Sequence, residues 1–418
     1  MTTRPSALSV FYGDDCVGTV HDRAPLTFAY TADWLSRPSP WSLAAIPLQP
    51  GEQSGAAVHA FFENLLPEGE LRQYLAQQRQ ASSLFALLLA LAGDTAGGFV
   101  LVPVGERPPV ARYEATSWEA LAQHLAVQSA AAIDLQGADA RISLAGAQDK
   151  TSIALLADGM PRLPKGASPS THILKPNIRR LDKVWHSAAN ETLVMRTAGY
   201  CGLPVAEVFY EPLTQACIVR RFDRLLRPDG SLARLVQYDL CQLAGQLSDR
   251  KYEKEGGPGL ADCAALVRRY SGQPAVDLRH LVQWVFFNLY VGNNDSHAKN
   301  LSLYSMPGRG VSLTPFYDLM CTRLYPGLSQ DFAFSIGGEW RPGAMTSSHV
   351  ALLAQSLGMR PQFVAQQAAA VARLLPGAVA RALGDLQPVL SPSARVMAQR
   401  LSQFVLASTR KLAARLVA

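Results

Sequence analysis

Residues Gly292 to Asn300 read GNNDSHAKN, and within nine positions they offer amides, a carboxylate, an imidazole and an amine. Asp295 and Asn300 are spaced D-x-x-x-x-N, as in the catalytic loop of phosphoryl-transfer enzymes. There the Asp takes or orients the proton of an attacking hydroxyl, and the Asn ligates magnesium. Magnesium wants hard oxygen ligands and keeps waters and phosphate oxygens for the rest of its shell, so one more carboxylate suffices. Asp318, which follows LTPFY, is the candidate; His297 and Lys299 would sit close to nucleotide phosphates, and Tyr317 adjoins Asp318. The same spacing occurs in ordinary Asn- and Asp-rich turns, and this stretch alone favours a plain turn.

Three further segments carry possible chemistry. RISLAGAQDKTSIALL is a strand, a short Gly-containing turn and a strand, suited to folding backbone N–H groups over phosphates. Lys150 and Thr151 are reminiscent of a Walker A loop, but that motif needs Gly before the Lys and Asp149 stands there. A Walker-type NTPase is therefore disfavoured, and an ordinary hairpin is the alternative. THILKPN puts Lys175 on a strand with Glu191 in the next helix-like segment, the arrangement by which kinases hold a phosphate-binding lysine. A surface lysine at a strand end is the alternative there. CIVRRFDRL passes from apolar strand to charged turn, where Arg220 to Phe222 can offer backbone groups to an adenine ring. Each signal is weak singly. Their order (phosphate loop, strand Lys, helix Glu, hinge, catalytic Asp, metal Asn, metal Asp) is the one a bilobal kinase requires.

The elements that must position these residues are also visible. LVQWVFFNLYV, Leu281 to Val291, is apolar on all faces and predicts a core helix that Gly292 ends in the left-handed conformation. LSLY and VSLTPFY predict two strands joined by MPGRG, bringing Asp295, Asn300 and Asp318 to the mouth of one hairpin. Earlier, ALSVFY and CVGTV flank a GDD turn, and LTFAY follows as a third strand. HAFFENLLPEGELRQYLAQQ and SSLFALLLALAG have helical spacing, and GERPPVARYE, residues 105–114, reads as a linker. KTSIALL, THILKP, VAEVFY and CIVRRF predict strands, interrupted by a helix SAANETLVMRTAGYCG that Gly202 caps. From Leu240 the chain is mainly helical. A β-rich half before a helical half implies two lobes with a ligand cleft between them.

Bulk composition agrees with an enzyme of this kind. At 418 residues, 48% hydrophobic and 17% charged, the chain has enough apolar side chains for a large core in two or three domains, which excludes a disordered chain. Its longest unbroken apolar run, Leu84 to Ala92, falls short of the roughly 20 residues of a membrane helix. Six scattered cysteines with no C-x-x-C pair suggest neither a zinc site nor a disulfide framework, and a cytoplasmic location is expected. A net charge of +6 suits a polyanionic partner, whether nucleotide, nucleic acid or a complex on DNA, although no Lys/Arg run exceeds a pair.

With FFENLLPEGELR, ISLAGAQDKTSIAL, THILKPN, NETLVMRTAGYCGLPVAEV, VRRFDR, YDLCQLAGQLSDRKYE, NNDSHAKNLSL and LTPFYDL in place, the sequence resembles the HipA family nearly end to end. These are the serine/threonine-kinase toxins of bacterial toxin–antitoxin pairs. The resemblance implies an α+β, bilobal protein-kinase-like fold. Its β-rich N-terminal lobe (111–235) is preceded by an added N-terminal subdomain (1–110) and followed by an all-helical C-terminal lobe (236–418). It implies ATP and Mg2+ as cofactors and Asp295 as the catalytic aspartate, with Asn300 and Asp318 on the metal and Lys175 on the phosphates. Ala145, Gly146, Ala147, Gln148, Asp149 and Lys150 match the phosphate loop, and Arg220, Arg221 and Phe222 the adenine hinge. Ser143 matches the serine whose autophosphorylation expels that loop.

The implied substrate is an aminoacyl-tRNA synthetase, glutamyl-tRNA synthetase first, so that phosphorylation arrests translation. The implied partners are a HipB-like helix-turn-helix antitoxin and, mainly through it, operator DNA; no membrane is involved. Neither HRD nor DFG is present, since Asn293 and Asn294 precede Asp295 and Tyr317 and Leu319 flank Asp318. HipA-like chains share that departure, which argues against an ordinary protein kinase. Arg220 and Arg221 stand where hinges often carry an acid. Two rival functions are a small-molecule kinase of similar fold and a catalytically idle partner of a DNA-bound antitoxin.

Overall fold

ALSVFY and CVGTV pair around the GDD turn as β1 (Ala7–Tyr12) and β2 (Asp15–His21) of the computed structural model, which describes residues 5–128 and 149–417. The chain divides into two units, Met1–Leu174 with Arg221–Arg250, and Lys175–Arg220 with Lys251–Ala418. In the first unit β3 (Thr27–Tyr30), β4 (Glu52–Ser54) and β5 (Phe99–Pro103) complete an antiparallel sheet ordered β4-β3-β2-β1-β5. Alternation sends Leu8, Val10, Val20 and Phe28 to one face, with Val17 buried at the register shift between β1 and β2; Phe61, Phe62 and Phe99 are fully buried aromatic members of the same unit's core. Gly18 makes that packing possible: a Cβ there would lie 2.3 Å from the Phe28 ring.

The stretch predicted as helical from His59 to Gln78 is two helices, Ala56–Glu63 and Gly69–Gln78. Between them the Asn64 side chain donates back to Ala60 O, Pro67 supplies no N–H, and Arg72 reaches across to Glu63 at 2.5 Å. The linker expected over 105–114 ends inside β6 (Arg112–Ala115), which pairs with β8 (Pro161–Lys165). Two prolines hid β8 from a reading of strand propensity. β8 pairs on its other side with β7 (Thr151–Leu155), and β7 pairs with β9 (His172–Lys175).

In the second unit, the hydrophobic helix Pro274–Val291 runs through the core, with Trp284 to Phe287 and Leu289 to Val291 at most 1% exposed. Against it pack the helices Pro361–Leu386 and Pro392–Leu416, and Ser187–Tyr200 packs in turn on those two. By length and composition Pro361–Leu386 could cross a membrane. It is amphipathic, however: Val364, Ala368, Val371, Leu375, Val379 and Ala382 are buried at helical spacing while Arg373, Arg381 and Asp385 are exposed. Two hairpins belong to this unit, Val208–Glu211 with Ala216–Arg220 and Ser302–Met306 with Gly310–Leu313. The second is the hairpin expected after GNNDSHAKN.

Candidate active site

Gly292 ends the core helix at φ +75°, and a Cβ at this position would stand 2.7 Å from the Phe404 ring. Glycine is therefore demanded twice, by conformation and by space. The loop that follows is not a solvated turn. From Val291 to Asn300 only Asp295 is exposed, while Asn293, Asn294, His297, Lys299 and Asn300 are buried. Buried polar groups persist only with partners, and these are specific. Asn293 donates from Nδ2 to Asn288 Oδ1 at 2.8 Å, and Asn288 donates to Trp284 O at 2.9 Å. Asn300 Nδ2 donates to the Asp295 carbonyl at 3.1 Å, closing the loop on itself.

Thr322 ties this loop to the segment that carries Asp318. Its Oγ1 accepts from Asn294 N at 2.8 Å and donates to Gly292 O at 3.3 Å, while Arg323 N donates to the same carbonyl at 3.0 Å. On the other side Asn190 brackets Cys321, donating to its carbonyl at 3.0 Å and accepting from its N–H at 2.8 Å. Asn190 adjoins Glu191 on the helix Ser187–Tyr200, so one helix supports both the segment after Asp318 and the carboxylate that holds Lys175.

Lys175, at the end of β9, places its ammonium 2.6 Å from Glu191 Oε1 and 2.8 Å from Asp318 Oδ1. Lys175 and Glu191 are buried, whereas the Asp318 side chain is 42% exposed. Burial alone would push the Lys175 ammonium towards neutrality. The Asp318 and Glu191 carboxylates outweigh it and hold the amine charged, well above the ordinary lysine range. Asp318 sits at φ +59°, a left-handed conformation uncommon outside glycine and a mark of sites where backbone geometry serves a side chain. The Tyr317 hydroxyl donates to Lys299 O at 2.9 Å and takes the Ser302 hydroxyl at 2.7 Å, tying the hairpin to the loop.

Two side chains here carry hard oxygen donors of the kind a divalent cation takes. Asn300 commits its Nδ2 to Asp295, which leaves the amide oxygen as its ligand atom, and Asp318 supplies a carboxylate. Among the described residues no cluster of three His, Cys, Asp or Glu could hold a metal. An amide oxygen and a carboxylate oxygen are donor types that fit magnesium, which completes its shell with water and phosphate.

Ser143 and Ala145 to Gln148 fall outside the described residues, as does the strand expected at RISL. Asp149, Lys150, Arg221 and Phe222 belong to the first unit, and the Lys150 side chain is buried. Arg220 N donates to Glu207 O at 2.8 Å, and its exposed guanidinium pairs with Glu207. Arg221 N is spent on Thr171 O at 2.9 Å, and its side chain is buried in an ionic cluster that the sequence did not announce. Asp94 lies at its centre, 3.2 Å from Arg221, 2.7 Å from Arg224 and 3.5 Å from Arg234, with Asp223 2.8 Å from Arg221. Burial would raise the Asp94 carboxyl, but Arg224, Arg221 and Arg234 hold it far below the usual range. Arg234 is itself pushed down to about 10 by burial. Arg221, Asp223 and Arg224 of VRRFDR thus build this unit's interior.

Residues 142–379 match the sequence model of the HipA-like C-terminal domain, and residues 8–102 that of the HipA N-terminal domain. The chain is 34% identical over 411 residues to Y4mE of Sinorhizobium fredii (strain NBRC 101917 / NGR234), covering 95% of this chain and 96% of that protein. It is 29% identical over 430 residues to the serine/threonine-protein kinase toxin HipA of Shewanella oneidensis, covering 98% and 97%. The solved complex of Shewanella oneidensis MR-1 HipA with HipB and its operator DNA superposes with a TM-score of 0.84 at 26% identity, over 98% of both chains. The α+β, kinase-like fold is thereby shown.

Proposed function

We propose that this chain, which belongs to the HipA family, is an ATP- and magnesium-dependent serine/threonine protein kinase, the toxin of a toxin–antitoxin pair. The observation that carries this reading is the Lys175 ammonium held between Glu191 and Asp318, whose neighbour Tyr317 bonds to the loop in which Asp295 is the one exposed side chain. Lys175 neutralises the nucleotide phosphates, and Glu191 keeps its amine in place. Asp295 accepts or orients the proton of the substrate hydroxyl. Asn300 and Asp318 would hold Mg2+, which supplies charge neutralisation at the phosphate oxygens. The small-molecule kinase and the idle binding module remain as rivals to be tested.

The protein substrate is proposed to be an aminoacyl-tRNA synthetase, with glutamyl-tRNA synthetase tried first. The partners are proposed to be a HipB-like helix-turn-helix antitoxin and, mainly through it, operator DNA. Residues 341–418 support the DNA part: they contain nine Lys and Arg but a single acid, Asp385, and all nine bases are exposed. Incubation with labelled ATP and cytoplasmic lysate tests the whole reading. Label on one protein band supports the toxin, label on a metabolite the small-molecule kinase, and no label the idle module.

Asp318→Ala is expected to weaken Mg-ATP binding as well as turnover, because it strips a metal ligand and leaves phosphate charge uncompensated. Raising magnesium should restore part of the activity. Unchanged ATP affinity and magnesium dependence would reduce Asp318 to a turn residue.

Ser143 is proposed as an off-switch. A phosphate there adds about −1.5 to −2 charge next to a loop whose N–H groups would face the triphosphate, which favours expulsion of the loop. Active protein should carry phosphate on the peptide containing Ser143, the Asp295→Asn protein should lack it, and the phosphorylated form should not bind ATP in calorimetry. Equal ATP affinity of the two forms would sink the switch.

A further inference from the structure

The segment LSDRKYE supplies a group that the catalytic scheme above does not use. The Tyr252 hydroxyl donates a hydrogen bond to Asp295 Oδ1. This ring is not a loose surface tyrosine. It stands edge-on to the His297 imidazole, centroids 5.0 Å apart at 81°, and the Lys251 ammonium lies over the ring, 5.5 Å from its centroid. The backbone just before it is bonded into the catalytic loop, since Lys251 O accepts from Ala298 N at 3.4 Å. The residue just after it, Glu253, is anchored by Ser335, whose N–H and hydroxyl each donate to its carboxylate at 2.8 Å. Tyr252 is thus fixed before, behind and at its ring, and it reaches the one exposed side chain of an otherwise buried loop.

An exposed aspartate on a loop has free rotation about two bonds, and a general base acts only when its oxygen is within hydrogen-bond reach of the proton it takes. The loop's own bonds fix the Asp295 backbone, through Asn300 to its carbonyl and through Asn293 Oδ1, which accepts from its N–H at 3.3 Å. They leave the carboxylate to swing. We propose that Tyr252 is the positioning residue of the phosphoryl-transfer site: by holding Oδ1 it fixes the Asp295 rotamer and presents Oδ2 to the acceptor hydroxyl. The anchoring of Tyr252 on three sides argues for a fixed guide and against a gate that swings aside. No covalent step is assigned to the tyrosine, and its proton stays on its own oxygen.

This inference rests on the kinase reading, and its test separates the two. Wild type, Tyr252→Phe and Asp295→Asn are compared as full-length proteins, with transfer from γ-labelled ATP scored on casein, on the chain itself and to water. ATP affinity is measured by calorimetry and the melting temperature is recorded. Removing one hydrogen bond to a charged group predicts a fall in kcat of about 10- to 100-fold. KM for casein, ATP affinity and melting temperature should stay at wild-type values, because Phe keeps the ring against His297. If Tyr252→Phe turns over within twofold of wild type while Asp295→Asn is dead, the positioning role is wrong and the kinase stands. A joint fall of kcat, ATP affinity and melting temperature would make Tyr252 merely structural. A wild type that transfers label nowhere, or an active Asp295→Asn protein, overturns both.

Discussion

Asp295→Asn is expected to lower phosphoryl transfer by about three orders of magnitude while ATP still binds. Asn keeps the size of Asp but is no proton acceptor. The bonds that shape the loop run through the Asp295 backbone, to Asn293 and Asn300, and survive the exchange. Lys175, Glu191 and Asp318 are untouched, so the phosphate and metal contacts proposed for them should persist. Single-turnover transfer and calorimetric ATP titration check the two halves of this expectation separately. Transfer at the wild-type rate would mean that the chemistry lies elsewhere in the chain.

The second large effect concerns stability and lies in the other unit. Asp94 is fully buried, accepts from the Ser170 backbone at 3.0 Å and hydroxyl at 2.7 Å, and faces three guanidinium groups. Asp94→Ala would leave Arg221, Arg224 and Arg234 with, among the described residues, only Asp223 as a carboxylate partner. Removing one partner from a buried ionic group typically costs about 3–5 kcal/mol, which denaturant titration would resolve easily. A loss under about 1 kcal/mol would show that the cluster relaxes or hydrates instead. The same carboxyls predict acid sensitivity. Asp94 and Asp223 are both held below their ordinary value of 3.8 in the folded state, so the stability they add is present above that pH. It is lost as pH falls below about 4 towards their folded values, and the melting temperature should decline over that range.

Much of the scaffold was legible because it depends on local pattern. An all-apolar run predicted the buried helix Pro274–Val291, Gly292 its left-handed end, and two alternating segments around MPGRG the hairpin that follows. Lys175 and Glu191, expected together from a strand and the next helix, meet at 2.6 Å. What stayed hidden depends on contacts distant in sequence. Thr322 bonding Gly292, Asn190 bracketing Cys321, and Tyr252 on Asp295 join residues 30, 131 and 43 positions apart. No periodicity encodes such pairs. The same holds for Asp94 and Arg224, 130 positions apart, whose cluster also buries the Arg221 side chain. β8 was missed for a different reason: its prolines oppose the strand signal that its pairing with β6 and β7 overrides.

The buried loop has a thermodynamic corollary. Catalytic loops usually come from the least stable part of a protein, where fraying is nearly free. Here the amides of Asn293, Asn294, Cys321 and Arg323 are all engaged by groups from the Pro274–Val291 helix end, Thr322 and Asn190. Loosening Asp295 therefore means breaking into the interior of the helical unit, and the loop opens with the free energy of that interior. The site is rigid by inheritance, so any motion needed for turnover must come from elements that do not share those bonds.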